Sequence, residues 1–204
     1  MKIFIIIFLS LVAMDTMAAS NSAELSIGLG RIDPNDQSLL NLSVAFKRSY
    51  ELERKLFDGD ILIGGGLRAT NYSSDLYQTH SDNNETLQGI NLTSFNLMVE
   101  SQLRWEKFFI GFNIDFLGFS LKNQSKIQNT NTEVTNASFN LLRGGEKDKG
   151  TLNSQLFLGY NFDHFYTKIG LSHSAIEFEG SVTGTAVDRQ NFVDTFFVGI
   201  GYRF

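Results

Sequence analysis

The residue types of an acyl-transfer centre occur together in Leu171-Ser172-His173-Ser174-Ala175-Ile176-Glu177. A histidine between a serine and a carboxylate can act as a base on the hydroxyl while the carboxylate orients its ring. His173 and Ser174 are direct neighbours, however, and adjacent residues of an extended strand point to opposite faces. They cannot share a proton within a strand, so no catalytic residue is assigned and no enzymatic activity is expected. Gly64-Gly65-Gly66 lacks the Gly-Lys-Ser/Thr completion of a phosphate loop and is expected to relieve crowding or bend the strand. Three scattered histidines and isolated carboxylates form no metal-ligand spacing, so neither metal nor cofactor is expected. Sequons at Asn41, Asn71, Asn84, Asn91, Asn123 and Asn136 arise from a composition rich in Asn, Ser and Thr.

A second set of chemically capable residues emerges from parity. Glu24, Lys47, Arg68, Glu100, Arg104, Asp115, Lys168 and Arg203 all alternate with apolar neighbours and fall on the polar face of their segments. If that face points inward, these charges need partners, and an interior salt-bridge network is expected. Such a network either fills the interior or lines a gated pore; parity supports both.

The elements that position these residues are short and alternating. The 204 residues include 19 Phe but a single Pro, and the mean hydropathy is −0.09. A chain so aromatic yet hydrophilic on average must distribute its apolar residues finely, as period-2 strands do. Eight segments carry the pattern: near 23–31, 39–48, 60–70, 91–105, 110–116, 152–162, 165–171 and 196–204. Tyr50 to Phe57 fits a strand extension or a short helix. Ile90 and Leu92 are out of phase with the rest of their segment, which points to a bulge or a later start. The long connections are expected at 32–38, 71–90, 122–150 and 177–190, whereas the links after the fourth and sixth segments are tight turns. Long loops at one end and short turns at the other describe an up-and-down antiparallel barrel.

The face with Leu, Ile, Val and Phe would meet lipid and the face with Gly, Ser, Asn and charges would line the interior. Trp105, Phe108, Tyr160, Phe162, Phe165, Tyr202 and Phe204 gather near the turns, where an interfacial girdle belongs. A soluble β-sandwich or a lipocalin-like barrel is the alternative fold.

At the N-terminus, Lys2, the apolar run Ile3 to Met14 and the small residues Ala18, Ala19 and Ser20 read as an export signal. Residues 1–19 are assigned to it and 20–204 to the barrel. The chain has no cysteine, which excludes disulfides and thiolate chemistry, and its charge of −5 argues against nucleic acid.

The last residues carry a family resemblance. Phe196, Val198, Ile200, Tyr202 and Phe204 alternate with small or polar residues up to a terminal Phe. This resembles the C-terminal targeting strand of Gram-negative outer-membrane β-barrel proteins. The resemblance implies an all-β, eight-stranded antiparallel transmembrane barrel in the bacterial outer membrane. It also implies delivery by periplasmic chaperones and recognition by the barrel-assembly machinery. The expected protein is a monomer surrounded by outer-membrane lipid, without enzymatic activity, acting structurally or through its extracellular loops on an unidentified surface ligand. A small-solute channel and a lipid A-modifying enzyme are the alternatives. Outer-membrane lipid A deacylases are eight-stranded barrels with a Ser/His/acid site, and this sequence lacks their His-x-Ser-Asn arrangement. The charged stretch Arg143 to Lys149 places possible binding functions in the longest loop.

Overall fold

The fold was obtained as a computed structural model that describes residues 19–32, 37–74, 79–80, 85–86, 90–122, 126–127, 130–131, 133–136, 153–182 and 185–204. The export segment up to residue 18 and the Arg143 to Lys149 stretch lie outside the described residues.

Eight long strands make the body: β1 (Ala19–Ile32), β2 (Gln37–Leu56), β3 (Gly59–Ser74), β4 (Ile90–Trp105), β5 (Phe108–Lys122), β6 (Asn153–Phe162), β7 (Phe165–Val182) and β8 (Thr185–Arg203). Each pairs antiparallel with its neighbour in the chain, and β8 also pairs with β1, from Ser22 opposite Arg203 to Ile32 opposite Val193. That last pairing closes the sheet, so the eight strands present no free edge.

The side chains are distributed inside out. Among the described residues, 21 polar or charged side chains are buried against 10 hydrophobic ones, while Leu25, Val44, Phe112, Leu171, Phe196 and Ile200 are exposed. A soluble sandwich or lipocalin-like barrel places its apolar face in a core. Here the apolar face surrounds the barrel and the polar face fills it, the distribution that suits a hydrocarbon exterior.

Three tight turns share one end of the barrel: Phe57-Asp58, Glu106-Lys107 and Asp163-His164. Phe57 and Asp58 both hold positive φ, as a type I′ turn requires, and Glu106 and Asp163 do so singly. Tyr50 to Leu56 therefore extends β2 and is not helical. A shift of register between Glu51 and Lys55 takes up the extra length. Aromatic rings pack around this end: Phe108 against Tyr160 at 5.0 Å, Tyr160 against Phe162 at 4.7 Å and Phe165 against Tyr202 at 5.0 Å between centroids. Trp105 Nε1 donates to the carbonyl of Phe57 at 2.9 Å, which ties the girdle to the first turn.

Two local expectations are corrected. β3 and β4 pair without interruption from Asp60 opposite Arg104 to Ser74 opposite Ile90, so no bulge lies near Ile90 or Leu92. The bulge occurs between β4 and β5, where Leu97 faces Leu117 but Met98 faces Asp115. The extra residue lets Asp115 and Gly118, three apart, both lie buried. The second correction concerns 177–190, expected as a loop: β7 and β8 stay paired to Val182 opposite Thr185. Beyond the lipid, backbone pairing needs no apolar face, so alternation fades there while the ladder continues.

Candidate functional site

The inward faces of the eight strands fill the lumen in layers. Nearest the tight turns, Phe109, Phe157, Tyr166 and Phe197 form a buried aromatic cluster. Large rings fit in so narrow a barrel because the facing strand supplies glycine. Tyr166 stands opposite Gly201 and Phe109 opposite Gly159; a Cβ on either glycine would fall 2.0 Å from a ring carbon.

Four buried charges lie beside the rings. Lys47 Nζ contacts Glu24 Oε2 at 2.9 Å and Glu100 Oε1 at 2.9 Å, and Lys168 Nζ approaches Glu24 Oε1 to 2.7 Å. The contact of Lys168 with Glu24 is a close ion pair and not an aligned hydrogen bond. Tyr166 donates its hydroxyl to Glu24 at 3.0 Å, and Gln102 donates to Glu100 at 2.6 Å. Lys168 is also clasped by π-faces, 4.3 Å from the centroid of Phe157 and 5.2 Å from that of Phe197. Two positive and two negative groups cancel. Buried charge is tolerated when it is paired and further hydrogen-bonded; Glu24, Lys47 and Glu100 meet both conditions, and Lys168 is paired and held against two rings.

A third layer lies farther from the turns. Arg68 Nη1 contacts Asp115 Oδ1 at 3.1 Å, and Asn96 donates to the other oxygen at 3.2 Å. Around this pair, Asn41 donates to Thr195 at 3.0 Å, Ser43 and Thr70 share a 2.8 Å hydrogen bond, and Ser172 bonds Thr195. The cavity among these side chains has a volume of about 10 Å³, room for about one water.

The remaining two charges of the polar parity lie apart. Arg104 pairs with Glu51 and with Asp60, the latter at 3.2 Å, at the turn end and partly exposed. Arg203 places its guanidinium 4.9 Å from the Tyr166 centroid. Parity alone did not single out Glu51, Asp60 or the four lumen aromatics. A signal for the aromatics was present, because each lies at the register position of a glycine on the next strand.

The residues of the expected targeting strand, Phe196, Val198, Ile200, Tyr202 and Phe204, all expose their side chains on the outer wall. Phe204 is anchored by its backbone, its N–H donating to the carbonyl of Asn21 at 3.0 Å. Ser174 and His173 occupy opposite faces. Ser174 is buried and hydrogen-bonded to the Tyr72 hydroxyl at 3.1 Å, whereas His173 points outward, with Nδ1 2.7 Å from Asp194 Oδ1. Asn41, in one of the sequons, is buried in the lumen. Among the described residues no group of His, Asp and Glu is arranged to hold a metal ion.

An eight-stranded antiparallel sheet closed on itself, apolar outside and polar within, is a transmembrane β-barrel, the architecture of bacterial outer-membrane proteins. The chain has the architecture of a small, eight-stranded transmembrane β-barrel. No protein-family model matches it, and no curated protein does. Among solved structures it is similar to the outer membrane protein Ail of Yersinia pestis in a phospholipid bilayer nanodisc. The identity is 13%, the match covers 92% of this chain and 100% of that chain, and the TM-score is 0.32. The crystal structure of Ail, the attachment invasion locus protein of Yersinia pestis, matches at 14% identity over 91% of this chain and 97% of that chain, with a TM-score of 0.32. OmpT, an outer membrane protein of Vibrio cholerae in its trimer form, matches at 7% identity over 92% and 99% of the two chains, with a TM-score of 0.19. Membership of the class rests on the chain's own closed sheet and two-faced strands.

Proposed function

We propose that this protein is a closed outer-membrane scaffold that acts structurally and through its extracellular loops, and that its lumen is not a path for solutes. The observation that carries this reading is the charge-neutral packing of Glu24, Lys47, Glu100 and Lys168 against Phe157, Phe197 and Tyr166 across the barrel. Eight strands leave an interior about wide enough for side chains, and these side chains occupy it. A solute would have to break buried ion pairs to pass, at several kcal/mol each. The interior charges pair with one another across the lumen. What the barrel offers to partners is thus its outer wall, which meets lipid, and the loops opposite the tight turns. A wall apolar on all sides suits a monomer in lipid. The alternating last strand suits delivery by periplasmic chaperones to the barrel-assembly machinery.

Planar-bilayer recording of the purified full chain tests the proposal. Electrical silence at physiological salt is the expected result. Discrete, sustained conductance steps that change on substitution of Lys168 would replace the scaffold with a small-solute channel. Deletion of the chromosomal copy, followed by measurement of detergent sensitivity, separates an envelope-integrity role, which raises sensitivity, from a loop-mediated binding role, which does not.

A further inference from the structure

The outer wall is not evenly filled at the girdle. Phe108 on β5, Tyr160 on β6, Thr167 on β7 and Ile200 on β8 are register partners in turn and make one row of outward side chains. Thr167 is the smallest of the four, and it borders a groove of about 390 Å³. Trp105, Phe108 and Tyr160 bound this groove on the side of the tight turns, Leu158 and Ile169 bound it one row deeper in the apolar belt, and Gly159 lies in its floor. The size falls within the range of about 300–1,000 Å³ usual for small-molecule sites. The walls are held by contacts of their own. Tyr160 packs against Phe108 and Phe162, with centroids 5.0 and 4.7 Å away, and the Trp105 indole is tied to the Phe57 carbonyl at 2.9 Å. A groove with fixed walls takes a ligand with little ordering of its own side chains.

The surroundings of the groove identify its occupant. On this wall lipid is the medium, and a lipid tail gains no hydrophobic free energy by leaving its neighbours for an apolar surface. Preference for one lipid over another must therefore come from fit within the groove and from the groove's polar end. The backbone N–H of Asn161 donates to the carbonyl of Lys107 at 2.7 Å, which pins the Glu106-Lys107 turn against β6, one residue from Tyr160. The groove thus ends at a turn that carries one cation and one carboxylate. Asp163 in the next turn adds a second carboxylate, and all three residues are exposed. A cation beside carboxylates complements a headgroup that joins a phosphate to a free ammonium. An anionic headgroup without an ammonium would leave the carboxylates facing its charge, and a quaternary one offers them no N–H donor.

We infer that the groove is a selective site for one phospholipid of the turn-side leaflet, of the class whose headgroup pairs a phosphate with a primary ammonium. One acyl chain lies in the groove between Tyr160 and Ile169. The phosphate meets Lys107, and the ammonium meets Glu106 and Asp163. The Tyr160 and Thr167 hydroxyls stand on the turn-side wall, at the interfacial level where girdle residues meet the polar part of a lipid. This site rests on the reading that the outer wall meets lipid, and goes beyond it by giving one place on that wall a preferred lipid.

Trp105 is the only tryptophan of the chain and lines the groove, so its fluorescence reports what occupies it. The full chain is folded into phosphatidylcholine vesicles that carry a graded fraction of a lipid with brominated acyl chains, which quench tryptophan on contact. The brominated lipid is phosphatidylethanolamine, phosphatidylglycerol or phosphatidylcholine. Folding is checked by heat-modifiable gel mobility and insertion by flotation. Half-maximal quenching is expected at an about fivefold lower mole fraction of phosphatidylethanolamine than of the other two, the preference that one headgroup charge contact gives. Thr167→Phe fills the groove and should abolish the preference, and Lys107→Glu should weaken it. Val44→Phe enlarges an exposed outward side chain on β2, away from the groove, and should leave it unchanged. Equal quenching by the three lipids, a preference for phosphatidylglycerol, or a preference that survives intact in Thr167→Phe would each overturn the site. Folded barrel that fails to float with vesicles would overturn the lipid-facing wall itself, and the site with it. If Thr167→Phe does not fold, the three-lipid comparison on the wild-type chain decides.

Discussion

Lys168 Nζ lies 2.7 Å from Glu24 Oε1 within the lumen, and 0% and 3% of the two side chains are exposed. The two residues are far apart in the chain; they meet because β8 stands between their strands and pairs with both. With Lys47 and Glu100 they make a cluster of zero net charge. Lys168→Met leaves that cluster with one uncompensated negative charge, and breaking one side of a buried pair typically costs about 3–5 kcal/mol. Urea unfolding in vesicles, followed by gel mobility, should show a loss of that size. Adding Glu24→Gln returns the cluster to neutrality and should recover most of it. A double variant no more stable than Lys168→Met would show that packing, not charge balance, dominates at this site.

Gly201 faces the Tyr166 ring, with a built Cβ 2.0 Å from the ring's Cζ. Gly201→Val is expected to block closure of β7 on β8, seen as loss of the heat-modifiable form. Tyr166→Ala removes the ring and, combined with Gly201→Val, should restore folding in part, since the Tyr166 hydroxyl bond to Glu24 is lost as well. No rescue in the double variant would place the defect in the backbone.

Phe204 contributes an exposed ring at the end of the last strand and one backbone hydrogen bond to Asn21. Its deletion should slow assembly in cells, with folded barrel in pulse-chase samples reduced several-fold. The stability of the barrels that do form should stay within about 1 kcal/mol of wild type, the usual net worth of one hydrogen bond. Normal assembly kinetics of the truncated chain would remove the targeting role of the final aromatic.

Phe57 and Asp58 hold φ of 50° and 60°, a conformation that favours Asn-Gly over a bulky aromatic. Phe57→Asn with Asp58→Gly should stabilise the barrel by about 0.5–1 kcal/mol, measured by urea midpoint. The contact from Trp105 is to the Phe57 carbonyl and survives the exchange. A lower midpoint would show that the exposed Phe57 ring stabilises the barrel by reaching the membrane interface.

Much of this architecture is legible in the residues because lipid imposes a strict period of two. Leu25, Ile27 and Leu29 alternate with Glu24, Ser26 and Gly28, and the structure exposes the first set and buries the second. Legibility fades where that environment ends. β7 and β8 continue as a paired ladder past Ile176 and Asn191, in a stretch whose polar composition suggested a loop. The bulge at Leu97 and Met98 was also misplaced, since either partner strand can hold the extra residue and composition does not say which.

The residues alone establish the class of environment, the number of strands and which face of each meets lipid, because these depend on alternation and turn chemistry within a few neighbouring positions. Register is a different quantity. It is set jointly by two strands and by the closure of the whole ring, so no single segment contains it. The closed barrel brings Lys168 to Glu24 and Arg68 to Asp115. It also sets Phe108, Tyr160 and Thr167, drawn from three successive strands, side by side on one row of the outer wall.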